Sequence, residues 1–344
     1  MRNGKGLIIG VDLGGTKMHA AAVDEAGKVL ASERAKTLPE EGAEAVIGRI
    51  AGLIGNVAGA LGASASDVQA ICIGVPGGVN DAEGMVDKAP NLGWEKVPLA
   101  SLLAAQLGGG ARIFLDNDVR VAVLGEHAYG CGRGTQTMVG IFVGTGIGGG
   151  LVVNGRLHLG SRGAAGEFGH MVLDPNGPRC PCGKRGCAEA LASRTSIERD
   201  VRKMIEKGHK SSVLKLMKKE GRPRLTSSVV ARALEDGDKV MTKVFARAQH
   251  AVGLLVGNMV NAIDPEVVVI GGGLAERLGE SMVAPIREVA YRHFLLQRDR
   301  DKVRIEATAL KDSAAPLGAA FVARMRLTGA PAPSRHATAP SAND

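Results

Sequence analysis

Three cysteines and a histidine lie close together in the stretch GHMVLDPNGPRCPCGKRGCAEA, as His170, Cys180, Cys182 and Cys187. One imidazole nitrogen and three thiolate sulfurs form a closed tetrahedral set of the kind that binds structural Zn²⁺. The alternative is three unrelated reduced thiols, although buried thiols need a core and this loop consists of Pro, Gly, Lys and Arg. The C-x-C-x₄-C spacing is tighter than that of a usual zinc finger. The spacing alone therefore does not decide between a zinc site and free thiols. A closed site leaves no position for water, so zinc would hold the loop together rather than take part in chemistry.

A first glycine loop has the composition of a phosphate site. Its residues are Asp12, Gly14, Gly15, Thr16 and Lys17, with a leucine after the aspartate. The carboxylate can accept from metal-bound water, the hydroxyl can donate and the ammonium supplies positive charge. These are the parts that phosphoryl transfer requires.

A second glycine loop, VGTGIGGG, contains Gly144, Thr145 and Gly146 and meets the dinucleotide pattern G-x-G-x-x-G with Gly149. That pattern has meaning only when it opens a helix. Here it continues as a strand, an Asn-Gly turn and a second strand, which argues against a nicotinamide site. A hairpin whose N–H groups bind an anion remains, with a plain glycine hairpin as the alternative.

Transfer to an alcohol also requires a carboxylate that accepts the hydroxyl proton. The stretch LDNDVRVAVLGE offers Asp116 and Asp118 where an apolar strand turns into a helix. Ligands bind at such strand ends in α/β folds. Helix capping by Asp116 or Asn117 is the alternative, and both explanations are open for Asp118.

Short apolar runs rich in β-branched residues predict buried strands, and helical periods separate them. The predicted strands are 7–12, 113–118, 138–144 and 266–273, and the predicted long helices lie in 40–62, 243–264 and 314–327. This alternation indicates an α/β fold whose sheets are covered by helices.

An internal repeat relates residues 7–30 to 137–160, each reading as strand, glycine turn, strand, polar turn and strand. We therefore expect duplicated lobes that each offer a glycine hairpin to a shared cleft. The expected division is a small lobe at 1–118, a large lobe at 119–310, a helix at about 311–328 that returns to the small lobe, and a disordered tail at 329–344.

Seven motifs in order, DLGGTK, APNLGW, LDND, VGTGIGGG, GEFGH, CPCGKRGCAE and VIGGG, resemble those of the ROK family of bacterial sugar kinases and sugar-responsive repressors. The resemblance covers about Leu7 to Leu327. It implies the two-lobed actin-like ATPase or sugar-kinase fold, built from duplicated ribonuclease H-like domains with a zinc-bound loop. It also implies a homodimer.

The resemblance assigns roles to individual residues. Asp118 would be the base, Asp12 would help to hold the Mg²⁺ of ATP, and both glycine loops would hold phosphates. The implied adenosine-side loop is Gly271, Gly272 and Gly273, and the implied sugar-binding residues are Asn91, Asn117, Asp118, Glu167, His170 and Glu189. His170 would bind zinc through one ring nitrogen and a sugar hydroxyl through the other. The family often has Asn-Asp-Ala-Asn where this chain has Asn117-Asp118-Val119-Arg120, and the role of Arg120 stays open.

The activity implied is ATP-dependent phosphorylation of a hexose at its 6-hydroxyl, with glucose favoured. N-acetylhexosamines, fructose or allose are alternative acceptors, and polyphosphate is an alternative donor. A sugar-sensing regulator is disfavoured, since only six residues precede the first strand and a helix-turn-helix domain would not fit.

The composition of the chain argues against nucleic-acid-binding and membrane proteins. The net charge is +8, but the densest basic run, 207–224, contains no aromatic residue for base stacking, so we expect a solvated helical face and no nucleic-acid partner. No apolar run approaches the length of a membrane span. Five cysteines and no signal peptide indicate the cytoplasm.

Overall fold

The computed structural model describes residues 6–329. Its strands are β1 (Leu7–Leu13), β2 (Lys17–Val23), β3 (Val29–Lys36), β4 (Val68–Val75), β5 (Gly78–Asn80), β6 (Met85–Ala89), β7 (Trp94–Val97), β8 (Arg112–Asn117), β9 (Met138–Val143), β10 (Ile147–Val153), β11 (Arg156–Leu157), β12 (Val267–Gly271) and β13 (Arg304–Ala307). Its helices are α1 (Ala43–Gly59), α2 (Leu99–Leu107), α3 (Asp118–Tyr129), α4 (Ala188–Ala192), α5 (Arg194–Glu206), α6 (Val213–Lys219), α7 (Ser227–Glu235), α8 (Lys239–Ile263), α9 (Gly273–Leu278), α10 (Glu280–His293) and α11 (Ala314–Leu327). The predicted strands and long helices are all present. The predicted disordered tail lies outside the described residues, apart from Gly329.

The chain forms two compact units. The first runs to Gly134 and resumes at Ser313, so that it includes α11, and the second is Thr135–Asp312. The boundary lies after Gly134, whereas the division expected from the sequence falls after Asp118. The reason is that α3 packs along α11 inside the first unit.

A five-stranded sheet of order β3-β2-β1-β4-β8 forms the centre of the first unit. The strands β1, β2 and β3 are antiparallel neighbours, while β4 and β8 run parallel to β1. Because β1 and β4 are buried along most of their length, they read as continuous apolar runs. The parallel strands bring the carboxyl ends of β1, β4 and β8 to one edge of this sheet.

The second unit repeats this topology with the order β11-β10-β9-β12-β13. Its first three strands are again antiparallel, and β12 and β13 are parallel to β9. The predicted duplication is therefore confirmed at the level of topology. An Asn154-Gly155 turn joins β10 to β11, and both residues have positive φ, 53° and 69°, as a tight hairpin turn requires.

Each unit has its own apolar core, one under α1 and α2 and one around α8. In the first unit α11 meets α3 backbone to backbone, because a Cβ at Gly125 or Gly318 would overlap the carbonyl groups of the other helix. This contact fixes the helix that begins at Asp118.

A small three-stranded sheet, β5-β6-β7, belongs to the first unit and was not predicted. The turn between β6 and β7 is a 3₁₀ segment, Pro90–Leu92, which carries the exposed Asn91.

In the predicted basic segment, the lysines of α6 are exposed while Val213 and Met217 are buried, as expected for a solvated helical face. Among residues 6–329, no helix combines the length and apolar character that a bilayer crossing needs.

Candidate active site

Asp118 is the first residue of α3 and follows directly on the last residue of β8. The N-cap is Asn117, whose side-chain oxygen accepts from the backbone N–H groups of Val119 at 3.1 Å and Arg120 at 3.2 Å. Its amide nitrogen donates to the carbonyl oxygen of Gly77 at 3.2 Å. Asn117 therefore performs the capping that the sequence left open, and it holds the turn that presents Asp118.

The Asp118 carboxyl is partly buried and accepts a hydrogen bond from the backbone N–H of Val119 at 2.9 Å. Burial raises the pKa of Asp118 from 3.8 to about 6, against the opposing effect of backbone and Asn117 hydrogen bonds. A carboxylate with a pKa near 6 is ionised at neutral pH and is a stronger proton acceptor than an ordinary aspartate. Asp118 has the properties of a general base.

Asp116 has a different environment, because it is buried and its charge is paired. Its carboxylate accepts from Arg326 at 3.1 Å and from the backbone N–H of Asn117 at 2.8 Å. The guanidinium of Arg120 lies 3.9 Å from the same carboxylate and is mostly buried. Asp116 is a structural carboxylate, and Arg120 contributes to its ion pairs.

The first glycine loop is a tight hairpin between β1 and β2. The Gly14 N–H donates to the carbonyl oxygen of Lys17 at 3.0 Å. The buried Thr37 fixes the hairpin from the side, since its hydroxyl donates to Gly14 O at 2.6 Å and its N–H donates to Thr16 O at 3.1 Å. A Cβ at Gly15 would lie 3.1 Å from the Cβ of Asn91, so the loop packs on the predicted sugar-binding residue.

Asp12 lies at the same sheet edge as the candidate base. Gly74 of β4 is the register partner of Asp12 on one side and of Asp116 on the other. A Cβ at Gly74 would also lie 3.2 Å from the Cα of Asp118. The structure thus brings Asp12, the first glycine loop, Asn91, Asn117 and Asp118 to one end of the first unit.

The second glycine loop lies between β9 and β10 and continues into a strand, which confirms that it does not open a helix. It closes through a hydrogen bond from Gly144 N–H to Gly146 O at 2.9 Å. The carboxylate of Glu189 accepts from the backbone N–H of Ile147 at 2.9 Å, and a Cβ at Gly146 would overlap that carboxylate. Glycine at this position therefore leaves room for Glu189.

The third glycine loop joins β12 to α9. Gly272 has a φ of 83°, and a Cβ there would lie 2.6 Å from the carbonyl oxygen of Val143 at the end of β9. A Cβ at Gly271 would overlap the ring of Phe142. Gly271 and Gly272 let the start of α9 approach the end of β9, next to the second loop.

The four predicted zinc ligands come together in the second unit. The ligand atoms of His170, Cys180, Cys182 and Cys187 all lie within 4.8 Å of one another. The distance from His170 Nδ1 to Cys180 Sγ is 3.7 Å, and that from Cys182 Sγ to Cys187 Sγ is 3.6 Å. A tetrahedral zinc ion places such ligand atoms about 3.5–3.8 Å apart. The donor set and its spacing fit zinc.

The cysteine loop connects the remaining predicted sugar residues. Glu167 precedes the 3₁₀ segment Phe168–His170, and the N–H of His170 donates to Glu167 O at 3.0 Å. At the other end of the loop, the N–H of Ala188 donates to Met171 O at 2.9 Å, immediately before Glu189 in α4. The loop therefore links His170 to Glu189 and, through Glu189, to the second glycine loop.

Known proteins are similar to this chain over the region that contains these motifs. The ROK family model matches residues 8–326 of the chain. The chain belongs to the ROK family. A glucokinase of Thermotoga maritima is 38% identical to this ROK protein over 94% of the chain and 98% of its own length.

Other ROK relatives represent both functional classes of the family. The crystal structure of a ROK family glucokinase from Streptomyces griseus in complex with glucose and AMPPNP matches with a TM-score of 0.78 at 30% identity, covering 93% of this chain and 100% of that one. A xylose repressor of Caldicellulosiruptor bescii is 30% identical over 91% of this chain and 77% of its own length. The fold is thus the actin-like sugar-kinase fold that the motifs implied.

Sequence reasoning missed two residues that contact the glycine loops of this ROK protein. Thr37 stabilises the first glycine loop by hydrogen bonds to its carbonyl oxygens, although it lies outside any motif. Arg194 donates to Thr145 Oγ1 at 2.8 Å, and no pattern in EALASRTS marks it as different from a surface arginine. Both contacts join segments that are distant in the chain.

Proposed function

We propose that this ROK protein is an ATP-dependent hexokinase that transfers the γ-phosphoryl group of ATP to the 6-hydroxyl of glucose. The identity to a glucokinase, 38%, exceeds that to a repressor, 30%. The observation that carries the proposed mechanism is the partly buried Asp118 at the end of β8, whose pKa is raised to about 6.

Asp118 acts as the general base. Its carboxylate accepts the proton of the 6-hydroxyl as the oxygen attacks the γ-phosphorus, the new O–P bond forms, and the bond from phosphorus to the bridging oxygen of ADP breaks. Asn117 holds the turn in place, so that Asp118 does not have to be ordered by the substrate.

The hexose hydroxyls require polar partners wherever the sugar is bound. We assign these contacts to Asn91, Asn117, Asp118, Glu167, His170 and Glu189. Support comes from one contact in each unit, since Asn91 packs on the first loop in the first unit and Glu189 packs on the second loop in the second unit. His170 would use its second ring nitrogen for a sugar hydroxyl while Nδ1 faces the cysteines.

The glycine loops bind ATP. We assign the phosphates to Gly14, Gly15, Thr16 and Lys17 and to Gly144, Thr145 and Gly146, and the adenosine side to Gly271, Gly272 and Gly273. Asp12, a hard oxygen donor beside the first loop, would help to hold Mg²⁺. When bound with ATP, that ion neutralises the developing phosphate charge.

Zinc belongs to the proposal as a structural ion held by His170, Cys180, Cys182 and Cys187. When bound, it would fix the loop geometry and supply no reacting group, because all four positions are taken by protein ligands. A homodimer and a cytoplasmic location are further parts of the proposal and rest on the family resemblance and the cysteine content alone.

The test is a coupled assay of glucose phosphorylation with the wild-type protein and Asp118→Asn. The wild type should produce glucose 6-phosphate and ADP, and the variant should lose about 10²–10⁴ in kcat, the range of general-base catalysis. Calorimetry should show glucose still bound by the variant. Undiminished turnover in the variant would reassign the base.

Alternative substrates are resolved in the same assay. N-acetylmannosamine, N-acetylglucosamine, fructose and allose replace glucose in one series, and polyphosphate replaces ATP in another. A higher kcat/KM for another sugar would change the substrate within the same chemistry. Specific binding to DNA together with absent turnover would support the regulator instead.

A further inference from the structure

Arg194 connects two of the glycine loops of the second unit. It is the first residue of α5, and its backbone N–H donates to Gly144 O at 2.9 Å. Its guanidinium donates to Thr145 Oγ1 at 2.8 Å and to Ser227 Oγ at 3.4 Å. The next residue, Thr195, donates its hydroxyl to Thr145 O at 2.8 Å. Hydrogen bonds therefore hold the start of α5 against the second glycine loop.

The same guanidinium reaches the third loop. A Cβ at Gly273 would lie 3.1 Å from Ser227 Oγ and 3.9 Å from Arg194 Nη1. Ser227 is the first residue of α7. Arg194 thus lies next to Thr145 of the proposed phosphate loop and next to Gly273 of the proposed adenosine-side loop.

Arg194 has only hydroxyl partners for its charge. Within the described part of the chain, no carboxylate lies within ion-pair distance of its guanidinium. The nearest acidic group in sequence, Glu198, is bonded by Arg202 and Arg224 and by the backbone N–H of Leu225. Burial lowers the pKa of Arg194, and the positive charge of Arg224 lowers it further. A partly desolvated cation of this kind favours an anion beside it.

The side chain also retains hydrogen-bonding capacity. A guanidinium has five N–H donors in a planar fork, and the hydroxyls of Thr145 and Ser227 take two of them. The remaining donors suit a phosphate, which arginine binds through paired, charge-assisted hydrogen bonds. The two hydroxyls fix the orientation of the fork.

We propose that Arg194 binds the phosphate groups nearest the adenosine of the nucleotide donor. The inference rests on the proposed function for the identity of the ligand. It adds a residue that discriminates phosphorylated adenine nucleotides from adenosine itself. Thr145 and Ser227 position this arginine.

The experiment measures binding directly, so that it does not depend on turnover. Calorimetry compares adenosine, AMP and ADP with the wild type, Arg194→Gln and Arg194→Lys. Removal of the guanidinium should weaken ADP binding about 10- to 100-fold and leave adenosine binding within about twofold, while lysine should give an intermediate loss. Thermal melting establishes that each variant is folded, and Arg194→Lys serves if the glutamine variant is not.

A matched control removes one positive charge from the same unit. Arg232 on α7 is exposed, and its ion pairs among the described residues are with Glu235 of the same helix and Asp236 directly after it. Arg232→Gln should leave ADP binding within about twofold of the wild type. An equal loss in this control would show that the general charge, and not Arg194, attracts the ligand.

Kinetics separate this inference from the proposed function. In Arg194→Gln the KM for ATP should rise about 10- to 100-fold with the KM for glucose unchanged. Equal loss of adenosine and ADP binding would overturn the inference in favour of a purely structural arginine, as would unchanged ADP binding. A wild type that binds ADP through Arg194 but phosphorylates no sugar would overturn the proposed function alone.

Discussion

The guanidinium of Arg326, in the last turn of α11, donates to the carboxylate of Asp116 at 3.1 Å. The same guanidinium pairs with Asp81 at 2.6 Å and donates to the carbonyl oxygen of Leu115 at 3.2 Å. Asp81 in turn accepts from the backbone N–H of Leu115 at 2.6 Å. The C-terminal helix therefore fixes the end of the strand that leads to Asp118.

The first prediction concerns this ion-pair network. Arg326→Met should lower the free energy of unfolding by about 3–5 kcal/mol, because the buried Asp116 would lose its closest cationic partner. Urea unfolding measures the loss. The double variant Asp116→Asn with Arg326→Met should lose less than the sum of the single changes, since the neutral amide no longer needs a cation.

Arg324 supplies the comparison for that experiment. It lies on the same helix but donates to neutral oxygens, at Val23 O and the Tyr129 hydroxyl. Arg324→Met should therefore cost only about 1.5–3 kcal/mol. Equal losses for the two arginines would contradict a special contribution from the Asp116 pair.

The second prediction is the pH dependence of turnover. Because the pKa of Asp118 is raised to about 6, kcat/KM for glucose should be constant above about pH 7 and fall about tenfold for each pH unit below about 6. Initial rates between pH 5 and 8, at saturating ATP, give the profile. A rate that stays constant down to pH 5 would show that no group with this pKa acts as the base.

The third prediction follows from the same shift but concerns stability. The folded protein keeps the Asp118 proton up to about pH 6, whereas the unfolded chain releases it near 3.8. In this range the folded state binds more protons, so stability falls as the pH rises from about 4 to 6 and then stays lower. Asp118→Asn removes the charged form, and it should raise the free energy of unfolding by up to about 3 kcal/mol at pH 8.

The gain in unfolding free energy of Asp118→Asn should become smaller as the pH approaches 4. A stabilisation by the amide that is unrelated to charge would not depend on pH in this way. Urea unfolding at pH 5 and pH 8 measures both values. Asp87, which is exposed on β6, provides the matched control, and Asp87→Asn should change stability by less than about 0.5 kcal/mol. An inactive Asp118→Asn protein that is no more stable than the wild type at pH 8 would argue against burial as the cause of the raised pKa.

The strands and helices of this fold follow from local patterns. The runs LIIGVD and VVVIG are apolar and β-branched, and the three long helices have a clear period, so their formation is decided within short windows of sequence. The same holds for the hairpin between β10 and β11, whose Asn154 and Gly155 have the positive φ values that a tight turn needs. The zinc set could be proposed because its ligands lie in one short loop, and the resemblance to the ROK family favoured it over three free thiols.

The contacts missed by the sequence join distant segments. Arg326 and Asp116 are separated by most of the chain, and Thr37 meets Gly14 only because β3 returns beside β2. Arg120 was left without a role since its partner, Asp116, depends on how β8 turns into α3. The sequence does not show whether the partner of a charged residue is water or a buried carboxylate.

The fourth prediction tests the zinc site. The purified protein should contain about one zinc ion per chain, and its removal by a chelator, followed by dialysis into Mg²⁺, should weaken glucose binding more than ATP binding. The reason is that the loop links His170 to Glu189. Metal analysis and calorimetry measure the two effects. Cys182→Ser should lose the metal, whereas Cys131→Ser, outside the ligand set, should keep it. Unchanged glucose affinity in the zinc-free protein would contradict the proposed link between the zinc site and glucose binding.

The fifth prediction concerns Gly146, where a Cβ would overlap the Glu189 carboxylate. The carboxylate ends a flexible side chain, so in Gly146→Ala we expect Glu189 to swing away rather than the loop to break. The hydrogen bond to the Ile147 N–H would then be lost, at a cost of about 1–3 kcal/mol in unfolding free energy. Because Glu189 is a proposed sugar contact, the KM for glucose should rise more than the KM for ATP.

Gly144 is the matched position, because a Cβ there meets nothing within 4 Å. Gly144→Ala should therefore raise the KM for glucose much less than Gly146→Ala, although both glycines belong to the same loop. Steady-state kinetics on the two variants, with Glu189→Gln as reference, make the comparison. If Gly146→Ala raised only the KM for ATP, the loop would be disturbed directly and Glu189 would have no part in the effect. A rise in the KM for glucose that matches Glu189→Gln would show that the glycine makes room for this carboxylate.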